Sequence, residues 1–335
     1  MEFEFFIGID VSKNELDFAV RQGKCFLFHR EVANEPGAIK AFIKELGKLP
    51  MFKLSNAVFC MEHTGIYNNH ALACLYKNKA HICLEAATQI KNSLGNIRGK
   101  NDKIDAIRIA DYAYDKRDKL RLWQPKRDII QQLSHLAATR LRLITVKKQL
   151  KVPLKEHAAF SPNTTSKQNL QICNHSLKAI DADIARADKA IDELIATDQE
   201  LARLFKLVTS VSGIGKVTAV QVIVTTNEFK DINNPKKFAC YSGVAPFTDD
   251  SGKVIKKARV SHMANKKVKT LLHMSAIVAI QYNPDLKLFY ERKVLQEKKN
   301  KMSVINAVRN KLILRIFACV NQNRPYEKNY HKLVA

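Results

Sequence analysis

Residues 98–112 read Arg98-Gly99-Lys100-Asn101-Asp102-Lys103-Ile104-Asp105-Ala106-Ile107-Arg108-Ile109-Ala110-Asp111-Tyr112. Asp102 and Asp105 stand three residues apart at the start of a helical pattern. That spacing sets both carboxylates on one face, about a turn apart, while Ile104, Ile107 and Ala110 turn elsewhere to be buried. Two neighbouring anions repel and call for a cation, and hard oxygen donors this close suit Mg²⁺ or Mn²⁺. Taken alone, the pair is better explained as negative charge at a helix N-terminus. The weight therefore falls on the elements around it.

Upstream, Phe3 to Ile9 is an apolar, β-favouring run ending in Gly8-Ile9-Asp10, and Leu16 to Val20 and Cys25 to His29 read as two further strands with Gly23 in the turn between them. Pro36 opens a helix with Ile39, Phe42, Ile43 and Leu46 on one face. Ala57 to Met61 is a continuous apolar strand that delivers Glu62 at its C-terminal end. A helix through Ala71 to Tyr76, a strand over His81 to Leu84, and the helix of Asp102 and Asp105 follow.

Three antiparallel strands, then helix, strand, helix, strand, helix is the element order of an α/β ribonuclease H-like domain. Such domains carry catalytic acids on the first strand, the fourth strand and a late helix, and Asp10, Glu62, Asp102 and Asp105 occupy those places in that order. A lone Gly-Ile-Asp is a weak signal, because sugar kinases and actin-like ATPases begin similarly. Four acids in order are a stronger one, and they point to a two-metal site for phosphodiester cleavage or transfer.

The charge supports a polyanionic substrate. The chain of 335 residues has a formal net charge of +24. Residues 1–125 hold 19 Lys+Arg against 15 Asp+Glu, residues 126–200 hold 12 against 9, and residues 201–335 hold 25 against 8. The excess is concentrated in the last third, which suggests nucleic acid ahead of a membrane surface. The seven cysteines form no C-x-x-C pair and read as buried thiols of a reducing compartment. Cys60, His63, His70 and Cys74 do not match a zinc-finger spacing. The acidic Met1-Glu2-Phe3-Glu4 is no basic leader and no apolar run reaches membrane-spanning length, so a cytoplasmic protein is expected.

The middle of the chain, residues 126–200, reads as helical. Ile130, Leu133, Ala137, Leu141 and Ile144 form one stripe that Pro153 and the cluster Ser161-Pro162-Asn163 interrupt. Leu177, Ile180, Ile184, Ala187, Ile191, Leu194 and Leu201 then alternate by three and four with Asp198 missing from the seam, as in a coiled coil or helical hairpin. In residues 201–335, Gly213-Ile214-Gly215-Lys216 joins two helical patterns. A helix-hairpin-helix turn there would offer backbone N–H groups to a phosphate, and a plain helix-helix turn is the simpler alternative. Lys253, Lys256, Lys257, Arg259, Lys266, Lys267 and Lys269 crowd the stretch after Ser251 and suit phosphate neutralisation.

Along nearly its whole length the chain resembles the DEDD transposases of insertion sequences, relatives of the Piv-type DNA invertases that include bridge-RNA-guided recombinases. The matching stretches are Ile7-Gly-Ile-Asp10-Val-Ser-Lys13, Met61-Glu62-His-Thr-Gly65, Asn101-Asp102-Lys-Ile-Asp105-Ala, Gly213-Ile-Gly215, Tyr241-Ser-Gly-Val-Ala-Pro246 and Asp250-Ser251-Gly252. The resemblance implies a RuvC-like catalytic domain over 1–125, a coiled-coil segment over 126–200 and a mainly α transposase domain over 201–335. It implies Mg²⁺ on Asp10, Glu62, Asp102 and Asp105, and Ser251 as a nucleophile that forms a phosphoserine intermediate. It also implies donor and target DNA, a structured guide RNA, and a homo-oligomer, dimer or tetramer, in the bacterial cytoplasm. His262-Met263-Ala264 stands where many relatives carry a basic residue and then a glycine. Read from its residues alone, Ser251 is better explained as a capping or turn serine of Asp-Asp-Ser-Gly, with Tyr241, Ser242 and Ser261 as rival nucleophiles. The alternatives for the whole chain are a RuvC-like junction resolvase, which needs the acids but not Ser251, and more remotely an actin-like kinase. Eleven glycines and a charge of +24 speak against the kinase.

Overall fold

The computed structural model describes residues 3–93, 101–160, 162–247, 259–261 and 263–327. The chain divides into two compact units, residues 1–125 and 126–335.

The first unit runs β1 (Phe5–Val11), β2 (Glu15–Gln22), β3 (Cys25–Ala33), α1 (Pro36–Leu46), β4 (Ala57–Glu62), α2 (Asn69–Lys77), β5 (His81–Glu85), α3 (Ala87–Ser93) and α4 (Asp102–Asp115). The first three strands form an antiparallel meander. Strands β4 and β5 add in parallel on the other side of β1, giving the order β3-β2-β1-β4-β5. Along the chain the elements follow the order expected of a ribonuclease H-like domain, with α3 added before α4. Central strand β1 is covered on both faces, which is why it is apolar without alternation. Its Phe5, Ile7 and Ile9 pack with Ile39, Phe42, Ile43 and Leu46 of α1 and with Ala71, Leu72 and Leu75 of α2. On the opposite face Phe6 packs with Val58, Cys60 and Cys83 against Ile90 of α3 and Ile109, Tyr112 and Ala113 of α4.

Helix α4 meets the sheet differently from the expectation. Ile104 and Ile107 are only half-buried, and the buried residues are Ala106, Ile109, Ala110, Tyr112 and Ala113. The physical reason lies in Gly8. A Cβ at Gly8 would collide with the Ala106 carbonyl oxygen and the Ala110 nitrogen, so backbone rests on backbone where α4 crosses β1. Only small residues fit at such a crossing, and the larger isoleucines are displaced to its sides.

The second unit contains α5 (Asp128–Phe160), α6 (Asn163–Thr197), α7 (Gln199–Thr209), α8 (Lys216–Thr226), α9 (Pro235–Tyr241), β6 (Pro246–Phe247), β7 (Arg259–Val260), α10 (Lys266–Tyr282), α11 (Pro284–Glu291) and α12 (Lys301–Asn321). Helices α5 and α6 pack as an antiparallel hairpin, with Arg140 bonded to Asp188 at 2.7 Å and Lys147 paired with Asp181. Ile130, Leu133, Ile191 and Ile195 at its base share one core with Leu201, Leu204, Val208, Leu312 and Phe317.

Two features of the hairpin correct the sequence reading. Pro153 does not interrupt α5, which continues to Phe160. The missing proline N–H would leave the Gln149 carbonyl without its helical donor, and Gln149 is exposed, where water satisfies it. Asp198 is not a polar residue within a continuous seam. It ends α6 and caps α7, accepting a bond of 2.8 Å from the Leu201 N–H, so Leu201 belongs to the next helix.

Candidate active site

Three elements carry the four acids, and Asp102, Asp105 and Glu62 lie near enough to act on the charge of Asp10. Asp10 follows Gly8 by two residues on β1, and Glu62 ends β4, where Gly8 pairs with Cys60 and Ile9 with Met61. Strand alternation therefore puts Gly8, Asp10, Cys60 and Glu62 on the face that α4 covers. Asp102 opens α4, one turn before Ala106, and Asp105 lies one turn before Ile109. The close crossing at Gly8 thus brings the first turn of α4 to the C-terminal ends of β1 and β4. Asn101 fixes that turn as its cap, accepting from the Ile104 N–H at 2.7 Å, while the Asp105 N–H donates to the Asn101 carbonyl at 3.0 Å.

The electrostatics report the convergence. Burial and the charges of Asp105, Asp102 and Glu62 push the Asp10 carboxyl up to about 6, against a bond from the Val11 N–H that works the other way. Asp105 also bonds Arg108 at 2.8 Å, a half-buried cation one turn along the same helix. As the side chains stand, no three His, Cys, Asp or Glu groups among the described residues are drawn together around one point. The donor set nevertheless fits a hard divalent ion: four carboxylates, no sulfur, and mutual repulsion that a cation relieves.

Other residues near the cluster escaped the sequence reading. Asp17 on β2 lies directly across from Asp10 and bonds His29 of β3 at 2.6 Å. Glu85 lies across from Glu62 at the end of β5. Hairpin register would have found Asp17, since a tight turn over Ser12–Asn14 fixes which residue of β2 faces Asp10. Arg108 stood in the quoted stretch, three residues beyond Asp105, at the spacing of a helical ion pair. Cys60 and Cys74 pack on opposite faces of the sheet, so they do not share an ion.

In the second unit, Gly213 has φ +93°, and a Cβ there would lie 2.6 Å from the Ser275 carbonyl oxygen of α10. Packing already accounts for this glycine. Gly215 caps α8 and has open space around it. Lys216 reaches back to α6, bonding the Asp188 carbonyl at 2.9 Å and pairing with Asp192 at 2.7 Å. Arg259, Lys266, Lys267 and Lys269 have no acidic partner among the described residues, whereas Ser251, Lys253, Lys256 and Lys257 lie outside them. Among the rival nucleophiles, Ser242 is fully buried and donates to the Ala239 carbonyl at 3.2 Å. The Tyr241 hydroxyl accepts a bond of 2.8 Å from Asn265, and the Ser261 hydroxyl oxygen accepts from the Met263 N–H at 3.1 Å.

Comparisons with known proteins match the chain in two stretches. A model of IS110-type DEDD transposases matches residues 7–159, which include all four acids. A second, described as the transposase IS116/IS110/IS902 family, matches residues 205–291, which include Gly213, Ser251 and the basic stretch. The chain belongs to the IS110 family of transposases. It is 26% identical to the pilin gene-inverting protein of Moraxella lacunata, over 98% of the chain and 99% of that protein. It is 27% identical to the pilin gene-inverting protein of Moraxella bovis over the same shares. An uncharacterised 43.6 kDa protein of insertion element IS110 from Streptomyces coelicolor is 24% identical over 52% of the chain and 42% of its own length. Among the described residues no helix is long and apolar enough to cross a membrane.

Proposed function

We propose that this IS110-family transposase cuts and exchanges DNA strands at a divalent-metal site held by Asp10, Glu62, Asp102 and Asp105. The observation that carries the reading is the placement of the four acids on β1, β4 and the first turn of α4, near enough that the other three raise the Asp10 carboxyl. Mg²⁺ or Mn²⁺ ions bound there would polarise a scissile phosphate and stabilise the attacking and leaving oxygens. Asp10 and Glu62 are the rigid members, placed at the ends of paired strands. Asp102 and Asp105 come from a capped helical turn, and Arg108 partly neutralises Asp105 until a cation replaces it. Asp10 would have to be deprotonated to hold such an ion, so affinity would rise with pH through about 6.

The resemblance supports Ser251 as the covalent nucleophile. Its Oγ, losing its proton, would bond to phosphorus as a strand-end oxygen departs. A hydroxyl of the second strand would then displace Ser251 and restore the phosphodiester without ATP. The basic residues Lys253, Lys256, Lys257, Arg259, Lys266, Lys267 and Lys269 would bind the phosphates. By the same resemblance a structured RNA selects the donor and target DNA, and the working form is a homo-oligomer. The pilin gene-inverting relatives favour strand exchange over simple cleavage.

The test combines two variants with denaturing gels. Wild-type protein, Mg²⁺ and donor DNA should give a protein-linked strand, whereas Ser251→Ala should bind nucleic acid and form none. Asp10→Asn should lower the yield by orders of magnitude. A covalent species that persists in Ser251→Ala, or maps to Tyr241, overturns the serine assignment. Sequencing of copurified nucleic acid tests the RNA.

A further inference from the structure

A cavity of about 370 Å³ opens inside the second unit, where the α5/α6 hairpin meets α8 and the first turns of α10. Its walls are aliphatic, formed by Ala137, Leu141, Ile191, Val217, Val220 and Leu271. Its rim is cationic. Asp188 at the rim is held below the usual carboxylate range, first by Arg140 and then by Lys216, so its charge is already matched. Lys266 and Lys267 have no acid beside them among the described residues, and burial alone pulls the Lys267 ammonium down. An apolar hollow beside unmatched cations fits a ligand that is flat and apolar in its body and anionic at its edge.

We propose that this cavity receives a nucleobase unstacked from a bound strand, with the adjoining phosphates on Lys266 and Lys267. The proposal rests on the reading of the chain as a DNA-binding transposase. A base extruded from the stack needs apolar walls for its faces and hydrogen-bonding groups for its edge. The walls supply the first. Gln221 supplies the second, because its Nε2 donates one hydrogen to Thr225 at 2.9 Å and retains another, while its Oε1 remains an acceptor. The Thr270 hydroxyl donates to the Lys266 carbonyl at 2.9 Å and can still accept from the base. The N-terminus of α10, a helix of 17 residues, adds its positive dipole end beside the two lysines. This role also explains why Lys216 is tied to α6: it braces one wall of the cavity rather than reaching for phosphate.

The experiment compares two single strands of equal charge, a thymidine 20-mer and a 20-mer of abasic deoxyribose phosphates, bound to the full-length protein. Wild type should prefer the thymidine strand by about tenfold or more. Val217→Trp fills the mouth from a site that is 40% exposed. It should lose that preference while keeping its affinity for the abasic strand. Lys267→Gln should weaken binding to both strands and flatten the salt dependence by about 0.7 in the log–log slope. A wild-type strand carrying 5-iodouracil should crosslink to peptides containing Leu141, Val217 or Leu271, a readout that needs no variant to fold. Equal affinity of wild type for both strands, a preference retained in Val217→Trp, or crosslinks confined elsewhere overturns the base pocket while leaving DNA binding intact. Loss of self-association in Val217→Trp with the base preference unchanged would assign the cavity to a protein side chain and also overturn it. Binding of neither strand would overturn the nucleic-acid reading itself.

Discussion

At the scale of single residues, Gly8 and Asp10 carry the argument. Gly8 admits α4 to backbone contact, and that contact sets the first turn of the helix beside Asp10. Gly8→Ala should destabilise the first unit by about 1–3 kcal/mol, the usual effect of overpacking, and impair strand transfer beyond the loss of folded protein. Urea unfolding followed beside an activity assay checks both. Asp10 predicts a pH dependence with a definite sign. Its carboxyl rises from 3.8 to about 6 on folding, so it favours the folded state below about pH 4 and loses that contribution as pH climbs through 6. Asp10→Asn, neutral throughout, should therefore match wild type near pH 4 and exceed it at pH 8, by on the order of 2 kcal/mol in the absence of metal. A constant gap across that range would refute the clustering of charges. The placement of the four acids on β1, β4 and α4 was legible in the sequence, because each stands near the end or start of an element whose pattern is clear. The function of Gly8 was not, since nothing in Ile7-Gly8-Ile9 names the helix 98 residues downstream that it admits. The partners of Lys216 were not legible for the same reason: they lie on α6, 24 to 28 residues earlier.

At the scale of elements, strong periodicity was read well and helix ends were not. The buried face of α1 consists of the four residues its spacing indicated. The short helices α3, α9 and α11 were missed, because seven or eight residues hold too few turns to show a period. The apparent heptads ran through Asp198 because Leu201 keeps the spacing even though the helix has ended. What ends it is a tertiary tie. Arg127, just before α5, bonds Asp198 at 2.8 and 2.9 Å and Glu228, beyond α8, at 3.0 Å. Burial works against the Glu228 charge, yet Arg127 and Lys230 bring its carboxyl below the usual range. Arg127→Met would leave that buried carboxylate with Lys230 alone and should cost about 1–3 kcal/mol. Because Glu228 and Asp198 are both depressed by Arg127, the stability gap from wild type should be full above about pH 5 and shrink as the carboxyls protonate at lower pH. Thermal melts of the two proteins at pH 4 and pH 7 test it. An equal gap at both values would assign the loss to packing.

At the scale of the whole molecule, charge is distributed unevenly along the chain. Residues 1–125 carry the acids, and residues 201–335 carry 25 basic against 8 acidic side chains. Nucleic-acid affinity should therefore be strongly salt dependent, each neutralised phosphate of duplex DNA adding roughly 0.9 to the log–log slope. Replacing Lys256, Lys257 and Arg259 together with glutamine should flatten it, and an unchanged slope would locate the contacts elsewhere. This division was visible in composition before any element was assigned, whereas the cavity under the hairpin arises only from packing helices distant in sequence. The central claim, that Asp10, Glu62, Asp102 and Asp105 form one metal site, is tested most directly by a calorimetric Mn²⁺ titration of the DNA-free protein at pH 7.5, with Asp10→Asn and Asp102→Asn alongside. Mn²⁺ should bind wild type and raise its melting temperature, and each substitution should weaken binding by tenfold or more. Mn²⁺ binding of equal affinity in all three proteins would contradict the account.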